Sequence, residues 1–456
     1  MARRKLKEHQ LYALEVMSSN PHLGIFYQMG CGKTMVILEW IRNALRQGLI
    51  KDVLVVCSKA LVASWKQAID ELVLFEGYDS HNIKQIRDAV TIVSYQRTWM
   101  SVKIPMMRHG QLTYRKEVHI REDLDKRWGC VVVDESQAIG THGSNQTRAA
   151  ITLGQLARYR FCLSGTPVHG GGGKEDFAKL YGQIQFLSGG TAFKNWTYFC
   201  KEYVLTYDMW HKPRTYDVPK CRRLLQNWGI VCRLEDCFDM PGKNEQFLSC
   251  PLEEKKVYED IRNGRLDPYG IDIENAGGQY IKLLQVCSGS LKVSQDDSDT
   301  MMFKTSKDDV LAEILEGTDD PIVVYCNFRA SVDRCAQIGR KAGRTVITFD
   351  GRTKDDAAWK RFTDGKADMI VIQFLRGAEG LNLQNSHIMV YFEPTTSALK
   401  FEQASGRIYR PGQDKKCIYY YLTTPKTIES KVFETVKNGV DVTEDMMRRW
   451  AQGEVF

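Results

Sequence analysis

The chain has 456 residues, 43% of them apolar and 26% charged, and its 63 Lys and Arg against 56 Asp and Glu give a formal net charge of +7. That is globular composition, with length for two domains, and no apolar stretch approaches a membrane span or a secretory leader behind Met1. The basic excess permits a polyanionic partner without requiring one. Among the thirteen cysteines, Cys57, Cys130, Cys162 and Cys326 lie in apolar runs and read as buried free thiols in a reducing compartment. Cys232 and Cys237, with Cys221 and Cys250 nearby, form no tight Cys-x-x-Cys pair, so zinc is not expected there.

Residues 5–19 carry a helical apolar stripe that includes Gln10. Its amide, donor and acceptor at once, suits an adenine edge; a solvated helix position is the plainer reading. An apolar run at 23–27 leads into residues 28–34, Gln-Met-Gly-Cys-Gly-Lys-Thr, and a helical pattern at 35–45 leaves them. Strand, glycine-rich turn, Lys-Thr and helix form a phosphate-binding loop. Gly30 and Gly32 let backbone amides crowd an anion, Lys33 reaches the β and γ phosphates, and the Thr34 hydroxyl holds Mg²⁺. Tyr27 stands where the strict pattern places a first glycine, so a ligand-free turn competes with this reading.

Strands follow at 53–57 and 90–93. Lys59, Ser94 and Arg97 lie just beyond them, where hydroxyls and cations bind phosphates or cap helices. Residues 103–121 are basic and read as a solvated hairpin or a nucleic-acid contact. The apolar run at 131–133 ends in Asp134 and Glu135. On a buried parallel strand these carboxylates stand where ligands bind. Asp134 would then hold Mg²⁺ through water and Glu135 would orient and deprotonate an attacking water; an ordinary strand-end acidic pair is the alternative. A strand at 160–163 runs into Ser-Gly-Thr-Pro at 164–167, and four glycines occupy 170–173. Residues 175–237 read as helical, with aromatics expected in a core; 240–244 read as a linker and 252–291 as mostly helical. A second α/β pattern has strands at 322–326, 345–349, 369–372 and 388–392. Gln403, Arg407 and Arg410, spaced by four and three, share one face if helical. They are arginine fingers beside a nucleotide, or a surface pair.

The ordered set resembles the superfamily 2 helicases, and within them the Swi/Snf-type DNA translocase ATPases. The resemblance rests on the loop at 28–34, Asp-Glu-Ser-Gln at 134–137, Leu-Ser-Gly-Thr-Pro at 163–167, Val-Tyr-Cys-Asn-Phe-Arg at 324–329, residues 376–383, and the full Gln-Ala-x-x-Arg-x-x-Arg-x-Gly-Gln at 403–413. It implies an α/β fold of two RecA-like parallel-sheet lobes with helical insertions between them. The lobes are residues 1–240, with a protrusion at 175–237, and 241–456, with an insertion at 252–291. It implies ATP and Mg²⁺ as cofactors, held by Gln10, Gly30, Gly32, Lys33, Thr34, Asp134, Gly380 and Gln403. Glu135 is the base, and Arg407 and Arg410 are the fingers. Double-stranded DNA meets Lys59, Ser94, Arg97, Asn327, Arg329 and Asn382. A minimal monomeric motor is expected, cytoplasmic or nuclear, with a possible protein partner on DNA. A strand-separating DNA or RNA helicase and a nucleic-acid-binding assembly protein that has lost hydrolysis are the alternatives. Gln137 stands in place of the family's His, which links the acidic box to the third motif. Phe374 replaces a Thr or Ser that touches the DNA backbone, and no Trp occurs in residues 393–397.

Overall fold

Apolar runs flanked by helical patterns become parallel strands because both faces must be covered. In the computed structural model of the chain, the described residues are all except 1–2, 109–110, 169–174, 209–210, 212, 272–275, 295–298, 356, 378–380, 444–445 and 448–456. The chain divides into two units that part between Phe238 and Asp239.

The strands of the first unit are β1 (His22–Tyr27), β2 (Val53–Cys57), β3 (Val90–Ser94), β4 (Trp99–Arg108), β5 (Gln111–Ile120), β6 (Trp128–Asp134), β7 (Ala157–Leu163), β8 (Val204–Tyr207), β9 (Pro213–Tyr216) and β10 (Gly229–Cys232). Six of them form a sheet in the order β10-β1-β7-β6-β2-β3. Every pairing in it is parallel. Val53 to Cys57 are all buried, as a doubly covered strand requires. Phe26, Leu54, Val56, Val131, Val133 and Phe186 belong to one core cluster.

β4 and β5 pair antiparallel from Trp99 with Ile120 to Arg108 with Gln111, so the basic segment at 103–121 is a hairpin. Lys103, Arg115, Lys116 and His119 are exposed on it. Residues 175–237 are not wholly helical. The hairpin β8–β9 interrupts them, and β10 returns to the main sheet beside β1. Four residues of β10 are too short a run to stand out between helices. The aromatics there do form a core: Phe177, Tyr181, Phe193 and Phe199 are buried together.

The second unit contains β11 (Lys243–Ser249), β12 (Ser290–Lys292), β13 (Thr300–Met302), β14 (Ile322–Cys326), β15 (Val346–Phe349), β16 (Met369–Gln373), β17 (Ile388–Tyr391) and β18 (Cys417–Thr423). Its sheet runs β11-β18-β17-β14-β16-β15, again parallel throughout. β11 begins at Lys243, inside the segment read as a linker. Residues 252–291 hold helices at Lys255–Arg262 and Ala276–Cys287 before β12. Lys307 and Glu429 are fully buried as an ion pair of 2.6 Å, and the Lys307 ammonium also donates to Phe392 O at 2.7 Å.

Candidate active site

The glycine-rich loop is held from behind before any ligand is considered. Gln28 N donates to Cys232 O at 2.9 Å, and Gln28 Oε1 accepts from Leu234 N at 2.8 Å. Its base is thereby pinned to the end of β10. Gly30 at φ 97° and Gly32 at φ 80° occupy the left-handed region. Residues with a Cβ rarely adopt it. The turn releases α2 (Lys33–Arg46), whose buried Val36, Ile37, Trp40 and Ile41 fix it against the sheet. A helix N-terminus therefore opens at the loop, the standard setting for an anion. Lys33 Nζ donates to Tyr27 O at 2.8 Å, and Thr34 lies in the first turn.

Gln10, on α1 (Glu8–Ser19), is buried rather than solvated. Its Oε1 accepts from Lys7 N at 2.9 Å and its Nε2 donates to Cys31 O at 3.4 Å. A Cβ at Gly32 would come within 2.2 Å of that Nε2, so a side chain there would displace the Gln10 amide as well as strain the left-handed backbone.

β7 lies between β1 and β6, so the loop and the acidic pair flank the end of β7. Asp134 is 6% exposed. Its Oδ2 accepts from Trp65 Nε1 at 2.8 Å and its Oδ1 from Glu135 N at 2.9 Å. Trp65 comes from α3 (Leu61–Asp70). The Tyr95 hydroxyl donates to Asp134 O at 2.6 Å. Burial, and then the neighbouring Glu135, push the Asp134 carboxyl up to about 6, against Lys33 and Trp65, which pull it down. A carboxylate so short of compensation favours a cation beside it, and carboxylate and hydroxyl oxygens are the kind of donor that Mg²⁺ takes.

Glu135 has φ 51°, unusual for a residue with a side chain. Gln137 Nε2 donates to Glu135 Oε2 at 2.7 Å, and Ser164 Oγ donates to Gln137 Oε1 at 2.6 Å. The amide can sit only this way round, because a carboxylate accepts and cannot donate. Thr166 N donates to Ser164 Oγ at 3.0 Å, extending the chain into the third motif. Gln137 thus joins the acidic pair to the Ser-Gly-Thr-Pro stretch at 164–167.

In the second unit the expected single helical face for Gln403, Arg407 and Arg410 is not present. The helix Ala398–Ser405 ends with Gly406 at its C-cap, so both arginines lie in the turns that follow. Glycine followed by Pro411 is a helix-stop pattern that the four-and-three spacing concealed. Gln403 and Arg407 are buried. Arg407 Nη1 donates to Leu381 O at 3.0 Å, and Arg410 Nε to Gly406 O at 2.9 Å. Burial, and then Arg407, lower the Arg410 pKa to about 9, so the Arg410 guanidinium stays charged at neutral pH. Two crowded cations of this kind gain from a polyanion. Gly380 lies outside the described residues.

Lys59 and Arg97 are exposed beyond β2 and β3, whose last residues, Cys57 and Ser94, pair. Ser94 itself is only 6% exposed, which sets it apart from the other proposed DNA contacts. Arg329 and Asn382 are exposed and Asn327 is half-buried. Glu393, in the segment without Trp, accepts from Asn327 N at 2.8 Å, Phe328 N at 2.7 Å and Ser331 Oγ at 3.1 Å, as well as from Ser288 Oγ. It sets the turn after β14. A cleft of about 870 Å³ beside that turn is lined by Asn327, Arg329, Arg334, Lys341 and Arg352, with Asp308 and Asp333 among them. Phe374 is 1% exposed and packs on Tyr325 and Tyr391, so its ring belongs to the core.

Two parallel-sheet units, a phosphate loop and acidic pair in the first, and the arginine motif in the second define a superfamily 2 protein with two RecA-like units. The chain belongs to the SNF2-related family. The model described as SNF2-related domain matches residues 9–274, and the one described as helicase conserved C-terminal domain matches residues 306–412. Similar proteins include the DNA repair and recombination protein RAD54-like of Danio rerio, 23% identical over 94% of this chain, and that of Gallus gallus, 22% identical over 94%. The DNA repair and recombination protein RDH54 of Saccharomyces cerevisiae is 22% identical over 89%. The chain spans 65% of the first two relatives' length and 47% of the third's. A solved Sulfolobus solfataricus SWI2/SNF2 ATPase core in complex with dsDNA is similar at 17% identity, covering 99% of this chain and 94% of that one, with a TM-score of 0.40.

Proposed function

We propose that this protein is a DNA-dependent ATPase that hydrolyses ATP to translocate on double-stranded DNA and remodel DNA or protein–DNA complexes. The observation that carries the reading is the hydrogen-bonded chain Glu135–Gln137–Ser164, beside a phosphate loop whose glycines are left-handed. It supports hydrolysis coupled to a neighbouring motif rather than a binding protein that has lost catalysis. Relatives described as DNA repair and recombination proteins support DNA as the track.

In this reading residues 1–240 are the nucleotide-holding lobe and 241–456 the second. Gly30, Gly32 and the start of α2 bind the phosphates, Lys33 leaves Tyr27 O for the β and γ oxygens, and Gln10 and Gln403 serve the nucleotide. Thr34 and Asp134 hold Mg²⁺, which when bound neutralises phosphate charge. Glu135, kept in place by Gln137, takes the proton of the attacking water. Arg407 and Arg410 offset charge on the transferring phosphoryl group. Lys59, Arg97, Asn327, Arg329 and Asn382 meet DNA phosphates, a sequence-independent grip suited to a motor. All thirteen cysteines are free, which supports an intracellular, reducing location.

The test is ATP turnover with and without duplex DNA at several salt concentrations, alongside triplex-strand displacement and forked-duplex separation. DNA-stimulated turnover, a log affinity that falls by about 0.9 per neutralised phosphate with log salt, and triplex displacement without fork opening are expected. Turnover indifferent to DNA, or fork opening alone, would reject the reading.

A further inference from the structure

The side chain in the middle of the phosphate loop takes no part in the phosphate chemistry described above. Cys31 stands between Gly30 and Gly32 with its side chain fully buried. The Sγ atoms of Cys31, Cys232 and Cys237 all lie within 4.8 Å of one another, the cluster of candidate metal ligands found among the described residues. Cys232 ends β10 and Cys237 ends the helix Leu234–Cys237. Sequence spacing conceals the set, because Cys31 is distant in the chain and Cys221 and Cys250, the nearer candidates, are not in it.

We infer that Cys31, Cys232 and Cys237 form a binding site for one thiophilic divalent cation, Zn²⁺, that clamps the phosphate loop to the end of β10. Three thiolates at about 2.3 Å from a tetrahedral zinc stand roughly 3.8 Å apart, so the cluster needs to close by about 1 Å at most. Cys237 is half-buried, which gives water the fourth position and a path of entry. The backbone already joins these elements through Gln28 N to Cys232 O and Leu234 N to Gln28 Oε1. The cation would therefore reinforce an existing brace. His9 closes the other side: its Nε2 lies 3.0 Å from Cys31 O and its ring meets Phe238 edge-on at 5.4 Å. A disulfide is the competing fate of close thiols.

The experiment measures zinc in the full chain after loading with Zn²⁺ and desalting, then repeats it on Cys232→Ser, Cys237→Ser and, as a control, Cys221→Ser. About one zinc per chain in the unmodified protein and in Cys221→Ser, with at least a tenfold loss in the other two, is expected. Co²⁺ in place of zinc should give a thiolate charge-transfer band that each of those two variants weakens. If Cys232→Ser does not fold, Cys237→Ser at its half-buried position decides alone. A folded unmodified chain that retains no metal, equal retention in Cys237→Ser, or a mass showing a disulfide within the three overturns the inference.

Discussion

Replacing Gln137 by leucine keeps its approximate volume and deletes both of its hydrogen bonds. The bond to the Glu135 carboxylate is charge-assisted and contributes about 1.5–3 kcal/mol, and the one from Ser164 about 1 kcal/mol. Gln137 is 4% exposed and Ser164 fully buried, so water replaces neither partner freely. Gln137→Leu should cost about 2–4 kcal/mol in the first unit. For a unit of this size that lowers Tm by roughly 5–12 °C. DNA-stimulated turnover should fall as well, because Glu135 loses the group that holds it. Gln137→His provides the contrast: neutral imidazole can accept from Ser164 and donate to Glu135, so stability should stay within about 1 kcal/mol and stimulated turnover should persist. Thermal melting and a coupled ATPase assay on both variants read the outcome. A leucine variant that melts and turns over like the parent would refute the reasoning.

Five further outcomes are expected. Glu135→Gln should bind ATP and not turn it over, and Arg410→Ala should lower turnover by about 10³, the scale of an arginine finger; near-normal turnover in Arg410→Ala removes that arginine from the reaction. Asp134 holds its proton more tightly in the folded chain than in the unfolded one, so the ligand-free protein should lose stability as pH rises from about 4 to about 6. A bound Mg²⁺ must displace that proton, so the Mg²⁺ dependence of nucleotide affinity should fade as pH drops below about 6, and a dependence unchanged down to pH 5 would contradict this. Lys307→Met should destabilise the second unit by about 3–5 kcal/mol, since it strands a fully buried Glu429 carboxylate; a melting curve that shows no loss would mean the pair is not buried in solution.

The parts of this fold legible in the sequence are those with local causes. Apolar runs gave β1, β2, β6, β7 and β14 within a few residues, and the glycines announced the loop. β10, β11 and β18 carry no such mark: β10 is four residues long, β11 sits beside the break between units, and β18 follows the sixth motif without a helical pattern to set it off. At the site, Asp134 and Glu135 were visible as a strand end. Trp65 and Tyr95 were not, because they reach Asp134 from 69 and 39 residues away. Glu393 is hidden for the same reason, 66 residues from the Asn327 amide from which it accepts. The arginine motif shows the opposite error, where spacing suggested a helix that Gly406 ends.

The pairing of β1 with β10 also bears on synthesis. Gln28 and Leu234 are joined across 206 residues. A ribosome adding about 5–20 residues per second takes roughly 10–40 s to cover that distance. Throughout it β1, with five of its six residues buried in the finished protein, has no neighbour on its outer side. Long-range parallel pairing is slow, and an open apolar edge invites the wrong partner. The brace behind the phosphate loop therefore cannot close until β10 and Leu234 have been made. A chain released after β9 would carry the whole Gln-Met-Gly-Cys-Gly-Lys-Thr signature on a strand still open to self-association.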